Sequence, residues 1–289
     1  MKTVSLVLGS GGARGLAHIG VIRYLEENKY KIKSISGCSI GALIGGIYAS
    51  EKLEEFEHWI RSVTKIDIMA LLDLSWNRTG FIKGDKIINT LVELVGNQLI
   101  EDLPIRYTAV AADVKNEKEI WLNSGRLFDA IRASISLPLL FTPHYHKGEL
   151  LIDGGVLNPV PIAPTFNDDT QLTIAVNLGG AVEPIKQIEF NEVSRTAKKE
   201  ELNLHEKVAN YIKRFQHDKF QPSGLDLGVY DIANQAFDAM QSTIARQKLA
   251  AYPPDCIIEL PRNACGTLEF DKASKMIELG YSKAKEQLE

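Results

Sequence analysis

Twice within its first fifty residues the chain runs from a short apolar segment through glycines into a helical pattern. "TVSLVLG" is apolar, β-branched and ended by glycine, as a buried strand is. The glycine loop "GSGGARG" (residues 9–15) follows, then "LAHIGVIRYLEEN", in which Leu16, Ile19, Ile22, Tyr24 and Leu25 form an apolar helical face. "KIKSISG" then reads as a second strand and "SIGALIGGIYASE" as a second helix, tightly packed through its glycines and alanines. Strand, turn and helix in repetition predict parallel strands in a βαβ unit, which sets the class as α/β.

The rest of the chain extends this order. A mostly helical stretch runs from "KLEEFEHWIRSV" to about Val95, and "IRYTAVAADV" and "EIWLNSG" read as strands. "RLFDAIRAS" predicts a short helix stopped by Leu137-Pro138, and "ELLIDGGVLNPVPI" a strand entering a glycine turn. "LTIAVNLG" is a further strand, "CIIELP" an edge strand, and two helices are expected at "GVYDIANQAFDAMQSTIARQKLAAY" and "FDKASKMIELGYSKAKEQL". Between residues 196 and 220 the chain is highly charged, yet Leu204, Val208, Tyr211, Ile212 and Phe215 keep helical spacing. That pattern fits a surface helix with its stripe on the core. It also fits a lid or lipid-touching helix, with Lys207, Lys213 and Arg214 free to meet phosphate head groups.

Composition excludes several classes. A chain of 289 residues with 45% hydrophobic and 24% charged residues can bury a sizeable core and is ordinary for a globular protein. A net charge of −4 gives no general attraction to nucleic acid or anionic lipid. Cys38, Cys256 and Cys265 are too few and too scattered for a disulfide framework or a metal site, so reduced thiols are expected. The N-terminus lacks the apolar length of a signal peptide, and no run approaches the ~20 apolar residues of a membrane span. These readings lead to a cytoplasmic protein whose membrane contact, if any, is peripheral.

The chemistry lies in the turns. Gly37-Cys38-Ser39-Ile40-Gly41 fits G-x-S-x-G, the nucleophile elbow, in which serine sits in a strained strand-to-helix turn. Gly37 and Gly41 remove side-chain bulk around Ser39, and the helix N-terminus behind it favours developing negative charge. The first glycine loop resembles the start of a dinucleotide fingerprint, G-x-G-x-x-G. Arg14 stands where the last glycine belongs, however, and the second strand ends without the acid that would hold a ribose. The other use of the loop is an oxyanion hole. Gly11 and Gly12 can present unobstructed N–H groups and Arg14 can add positive charge, each such donor contributing roughly 3–4 kcal/mol.

A serine nucleophile needs a base. Among His18, His58, His144, His146, His205 and His217, only the last two follow the later acids, and both lie in the charged segment. Asp153 is better placed. It ends a strand, and Gly154-Gly155 let the backbone turn and expose the carboxylate, although Asp-Gly also marks plain turns. Ser39 with Asp153 then forms a dyad.

Together these pieces resemble the bacterial patatin-like phospholipase family. Gly9 to Gly15 are similar to its glycine-rich oxyanion motif, with Ser10 replacing the second glycine. Gly37 to Gly41 are similar to its elbow and Asp153-Gly154-Gly155 to its catalytic D-G-G/A, while "AIRASISLPLLFTP" (residues 130–143) resembles its serine- and proline-containing block. The resemblance covers about residues 3–180. It implies a three-layer α/β/α fold with a central, mostly parallel sheet, a Ser39–Asp153 dyad needing no metal or cofactor, and hydrolysis of lipid acyl esters. One domain over residues 1–289 is expected, with the catalytic core over about 3–180 and a helical part over 181–289 whose mobility is open. An acyl-Ser39 intermediate follows. An unperturbed aspartate titrates near 3.9 and is a weak base in water, so Asp153 must act by proximity in a partly dry site. A regulatory or lipid-binding protein of the same fold is the alternative, and head group, acyl length and oligomeric state stay open.

Overall fold

The computed structural model describes residues 1–72, 82–183 and 227–289. Among them eight strands form one sheet: β1 (Lys2–Leu8), β2 (Tyr30–Cys38), β3 (Arg106–Asp113), β4 (Lys118–Leu122), β5 (His144–His146), β6 (Glu149–Asp153), β7 (Leu172–Gly180) and β8 (Cys256–Pro261). The order across the sheet is β5-β6-β3-β2-β1-β7-β8, with β4 pairing β3 off this path. Strands β3, β2, β1, β7 and β8 run parallel to their neighbours in that series, while β4 and β6 pair β3, and β5 pairs β6, antiparallel.

The helices are α1 (Ala17–Glu27), α2 (Ile40–Ala49), α3 (Leu53–Ser62), α4 (Lys65–Leu71), α5 (Asp85–Val95), α6 (Leu127–Ser134), α7 (Leu227–Ala251) and α8 (Ala273–Leu288). They cover both faces of the sheet. Strand β1 shows how, because its side chains alternate between faces. Val4, Leu6 and Leu8 enter the large core shared with α1, α2, α6 and α8, while Val7 packs with Val160, Ile162 and Ala175 under Ala245 and Leu249 of α7. The result is a three-layer α/β/α fold with a mixed, mostly parallel central sheet, as expected.

Helix α1 is buried nearly all round because α8 lies on its outer side. The two backbones approach so closely that a Cβ on Gly20 would stand 1.8 Å from Ile277 O, and one on Gly280 1.9 Å from Ala17 O. The short hairpin of β5 and β6 was not expected from the sequence; the three residues of β5 give too short a pattern to read. The 196–220 segment, with the stripe from Leu204 to Phe215, the cations Lys207, Lys213 and Arg214, and both His205 and His217, lies outside the described residues. No described helix is long and apolar enough to cross a membrane.

Candidate active site

One strand brings the side chains of Ser39 and Asp153 together. The first part of β3 pairs with β2, the last rung joining Val110 to Cys38. The next residues of β3 pair with β6, Ala111 lying opposite Asp153. The ends of β2 and β6 therefore fall on successive rungs of one strand, and Ser39, the first residue past β2, meets Asp153, the last of β6. Ser39 Oγ donates to Asp153 Oδ2 at 2.5 Å.

The elbow owes its shape to small residues. Ser39 has φ 56° and ψ −124°, a conformation that side chains rarely adopt, at the N-cap of α2. A Cβ on Gly37 would lie 2.5 Å from Gly41 O, and one on Gly41 2.1 Å from Leu8 O. Both positions thus require glycine, the first to let α2 start at once and the second to let it pass the end of β1. Gly15 seats the glycine loop in the same way, since a Cβ there would overlap Ile40 at 2.2 Å.

Asp153 is fully buried. Its Oδ1 accepts Gly155 N–H at 2.8 Å and faces the Cys38 thiol at 3.8 Å. Burial pushes the carboxyl up to about 6, and the bonds from Ser39, Gly155 and Cys38 hold it from rising further. Cys38 is itself buried and moves well above its ordinary value, chiefly by desolvation and then by the nearby Asp153 charge, so it remains a thiol.

The glycine loop crosses beside this pair. Gly9, Ser10 and Ala13 donate their N–H groups to Val176 O, Pro159 O and Thr267 O at 3.1, 2.8 and 2.8 Å. The N–H groups of Gly11 and Gly12 have no protein partner among the described residues. Gly12 has φ 57°, which favours glycine, and lines the same cleft as Ser39.

Arg14 sits elsewhere than its expected place facing the oxyanion. It is buried behind the loop, in a small polar crevice shared with Asp238 and Gln241 of α7. Its Nε donates to Gly11 O at 3.1 Å, Nη1 to Arg262 O at 2.7 Å and Nη2 to Asp238 Oδ1 at 2.9 Å. A guanidinium so committed cannot also reach into the cleft. What it holds is the Gly11–Gly12 peptide, which is trans. In a trans peptide C=O and N–H point opposite ways, so fixing Gly11 O on the Arg14 side turns Gly12 N–H to the other.

His18 supports the loop from below. Its Nε2 lies 2.9 Å from Gly9 O, and burial lowers its pKa to about 4, so the neutral ring donates that proton. His58 lies on α3 and His144 and His146 on β5. The Ser39 hydroxyl is met by the Asp153 carboxylate directly, with no imidazole between them.

Comparison with known proteins bears on this arrangement. The model of the patatin-like phospholipase family matches residues 6–166, a stretch holding the glycine loop, Ser39 and Asp153. The chain belongs to the patatin-like phospholipase family. An uncharacterized NTE family protein of Mycobacterium tuberculosis is 38% identical over 99% of this chain and 91% of its own length. Lysophospholipase nte1 of Emericella nidulans is 27% identical over 100% of this chain, which spans 18% of that protein. At the level of the family, the activity is lipid ester hydrolysis.

This patatin-like chain has an apolar cleft with Ser39 and Gly12 in its wall. Leu43 of α2, Phe56 and Ile60 of α3, Leu91 of α5 and Leu140 line it. Sequence reading found none of these as site residues, because each reads there as ordinary core. It also missed Gln241, whose Nε2 donates to Ser10 Oγ at 3.1 Å, and Ser134, whose Oγ accepts the Ser39 N–H at 2.9 Å. Ser134 lies in the 130–143 block, which gave the only signal for it.

Proposed function

We propose that this chain is a serine esterase that removes fatty acid from phospholipids, lysophospholipids or related lipid esters through an acyl-Ser39 intermediate. The observation that carries the reading is the Ser39 Oγ to Asp153 Oδ2 bond in the wall of an apolar cleft. Asp153 takes the hydroxyl proton as Ser39 Oγ attacks the ester carbonyl, and returns it to the leaving alcohol. Water then attacks the acyl-serine with Asp153 again as base. A carboxyl raised to about 6 is ionised at neutral pH yet more basic than a solvated aspartate, which suits it to this role.

The tetrahedral oxyanion is held by the N–H groups of Gly11 and Gly12, Arg14 acting through the peptide it fixes. The Ser39 N–H is already engaged by Ser134, so the donors come from the glycine loop. The acyl chain lies in the cleft. Lipid reaches it from a membrane surface: Ile66 and Met69 of α4 are 70% and 54% exposed, and Leu139 56% exposed, beside neighbours in sequence that line the cleft. Burying such side chains in lipid favours peripheral contact.

Hydrolysis of nitrophenyl esters of increasing acyl length, with Ser39→Ala as control, tests the reading. Activity that rises with chain length and vanishes in the variant is expected. Activity equal to that of the variant at every length would turn the assignment towards a lipid-binding protein of this fold.

A further inference from the structure

Helix α6 ends where the two reactive residues meet, and its last turn touches the backbone of both. Ser134 Oγ accepts the Ser39 N–H at 2.9 Å and donates to Val110 O at 2.7 Å. The hydroxyl therefore stands between an N–H of the elbow and a carbonyl of β3, at the point where the pairing of β2 with β3 stops after Cys38 and Val110. Two residues on, Ser136 O accepts the Asp153 N–H at 3.0 Å. Both serines are fully buried.

This turn is itself tied down. Arg132 Nη1 donates to Ser136 Oγ at 2.6 Å, and Nη2 donates to Lys83 O and Thr142 O. Ser136 Oγ in turn donates to Arg132 O at 2.8 Å. The guanidinium thus joins the end of α6 to the start of α5 and to the loop before β5.

We propose that residues 132–136 are a positioning brace in which Ser134 holds the strained Ser39 peptide and Ser136 the Asp153 peptide, setting the Oγ-to-carboxylate approach. The proposal rests on the reading of Ser39 and Asp153 as the dyad. The physical argument is that Ser39, at φ 56°, stays in a sparsely populated conformation only if its surroundings over-determine it. A hydroxyl that accepts from Ser39 N–H and donates to Val110 O fixes the peptide plane from both ends. Without it that N–H is buried and unpaired, and the elbow relaxes away from Asp153. Ser134 touches no substrate and leaves the Asp153 carboxylate alone.

The test compares Ser134→Ala, Ser134→Thr and Ser134→Val with wild type, using a soluble nitrophenyl ester and a serine-directed phosphonate. Thr and Val have nearly the same volume and differ in the hydroxyl, so that pair separates the hydrogen bond from packing. Expected are a kcat lowered roughly tenfold to a hundredfold in the Ala and Val variants, an unchanged KM, an unchanged acid limb of the pH profile, and higher kcat for Thr than for Val. The phosphonate should label Ser39 more slowly in the same proportion. A folded Ser134→Ala variant with kcat within about twofold of wild type, under the factor a lost positioning contact brings, would overturn the brace. Amide exchange at Ser39, followed by NMR, reads the brace without turnover: faster exchange in Ser134→Ala supports it and unchanged exchange overturns it. A wild-type protein that neither turns over nor labels would instead count against the dyad.

Discussion

Arg14 Nε lies 3.1 Å from Gly11 O, and the same guanidinium holds Asp238 of α7 at 2.9 Å. The basic residue of the glycine motif thus acts on the geometry of a peptide, from behind the loop. Arg14→Lys keeps the charge but loses the fork that reaches three acceptors at once. We expect kcat to fall roughly tenfold to a hundredfold, towards the loss seen when an oxyanion donor is removed, with KM little changed and Asp238→Asn intermediate. A variant that altered only KM, and only for substrates with anionic head groups, would show direct contact with lipid instead.

With Asp153 as the proposed base, its carboxyl, raised by burial to about 6, should set the acid limb of activity. The log of kcat/KM should rise with pH up to about 6 and level off above it, since the base must be ionised. A limb near the ordinary value of about 4 would mean that the carboxylate is solvated in the working enzyme.

The same burial has a thermodynamic consequence. A folded-state pKa raised above the unfolded one gives stability that is present below the unfolded value and lost as pH rises through about 6. Ionised Asp153 therefore costs about 3 kcal/mol at pH 8, from a rise of about two units. Asp153→Asn should be inactive yet more stable than wild type at pH 8, with the advantage gone at pH 4. His18, lowered to about 4, works the other way, losing stability as pH falls from 6.5 towards 4. Urea unfolding of wild type and Asp153→Asn at both pH values checks the sign: the variant should lose more stability on acidification.

The apolar cleft predicts chain-length dependence. At about 0.8 kcal/mol per buried methylene, kcat/KM should rise about fourfold per CH₂ until the cleft is full. Leu91→Trp, which fills part of the wall, should shift the preference to shorter acyl chains without loss on acetate esters. A parallel fall at every length would place the chain elsewhere.

Two glycines of α2 should behave differently. A Cβ at Gly41 meets backbone at 2.1 Å, whereas one at Gly46 meets side chains alone, the methyl ends of Ile131 and Leu127 at 3.0 Å and the Tyr107 ring at 3.2 Å. Gly41→Ala should cost more than about 3 kcal/mol, because backbone cannot move aside. Gly46→Ala should lie within about 1 kcal/mol of wild type, since helix propensity offsets the crowding. Thermal unfolding of the pair is the check.

The parts of the site that local chemistry dictates could be read in advance. Glycines flanking Ser39 and following Asp153, each at the end of an apolar run, mark turns that carry reactive side chains, and the parallel strands follow from the same runs. What could not be read depends on long-range approach. Nothing local tells that Arg14 turns towards Asp238, or that Ser134 reaches Ser39. The cleft was hidden for a different reason: Phe56, Ile60 and Leu91 satisfy helical periodicity whether they face a core or a cavity. His18, on an apolar helix, gave no sign that its ring holds the glycine loop.

The packing of α8 on α1 has a bearing on the order in which the fold is completed. The glycine loop and α1 are synthesised some two hundred residues ahead of α7 and α8, yet the loop is held by Thr267 O and Asp238, and α1 is covered by α8. Contacts separated by more than two hundred residues form late, after the entropy of closing a long chain has been met. A nascent chain that already carries Ser39 and Asp153 still lacks the groups that fix the loop beside them. Hydrolytic competence should therefore arise only once α7 and α8 have emerged and closed over the loop and α1.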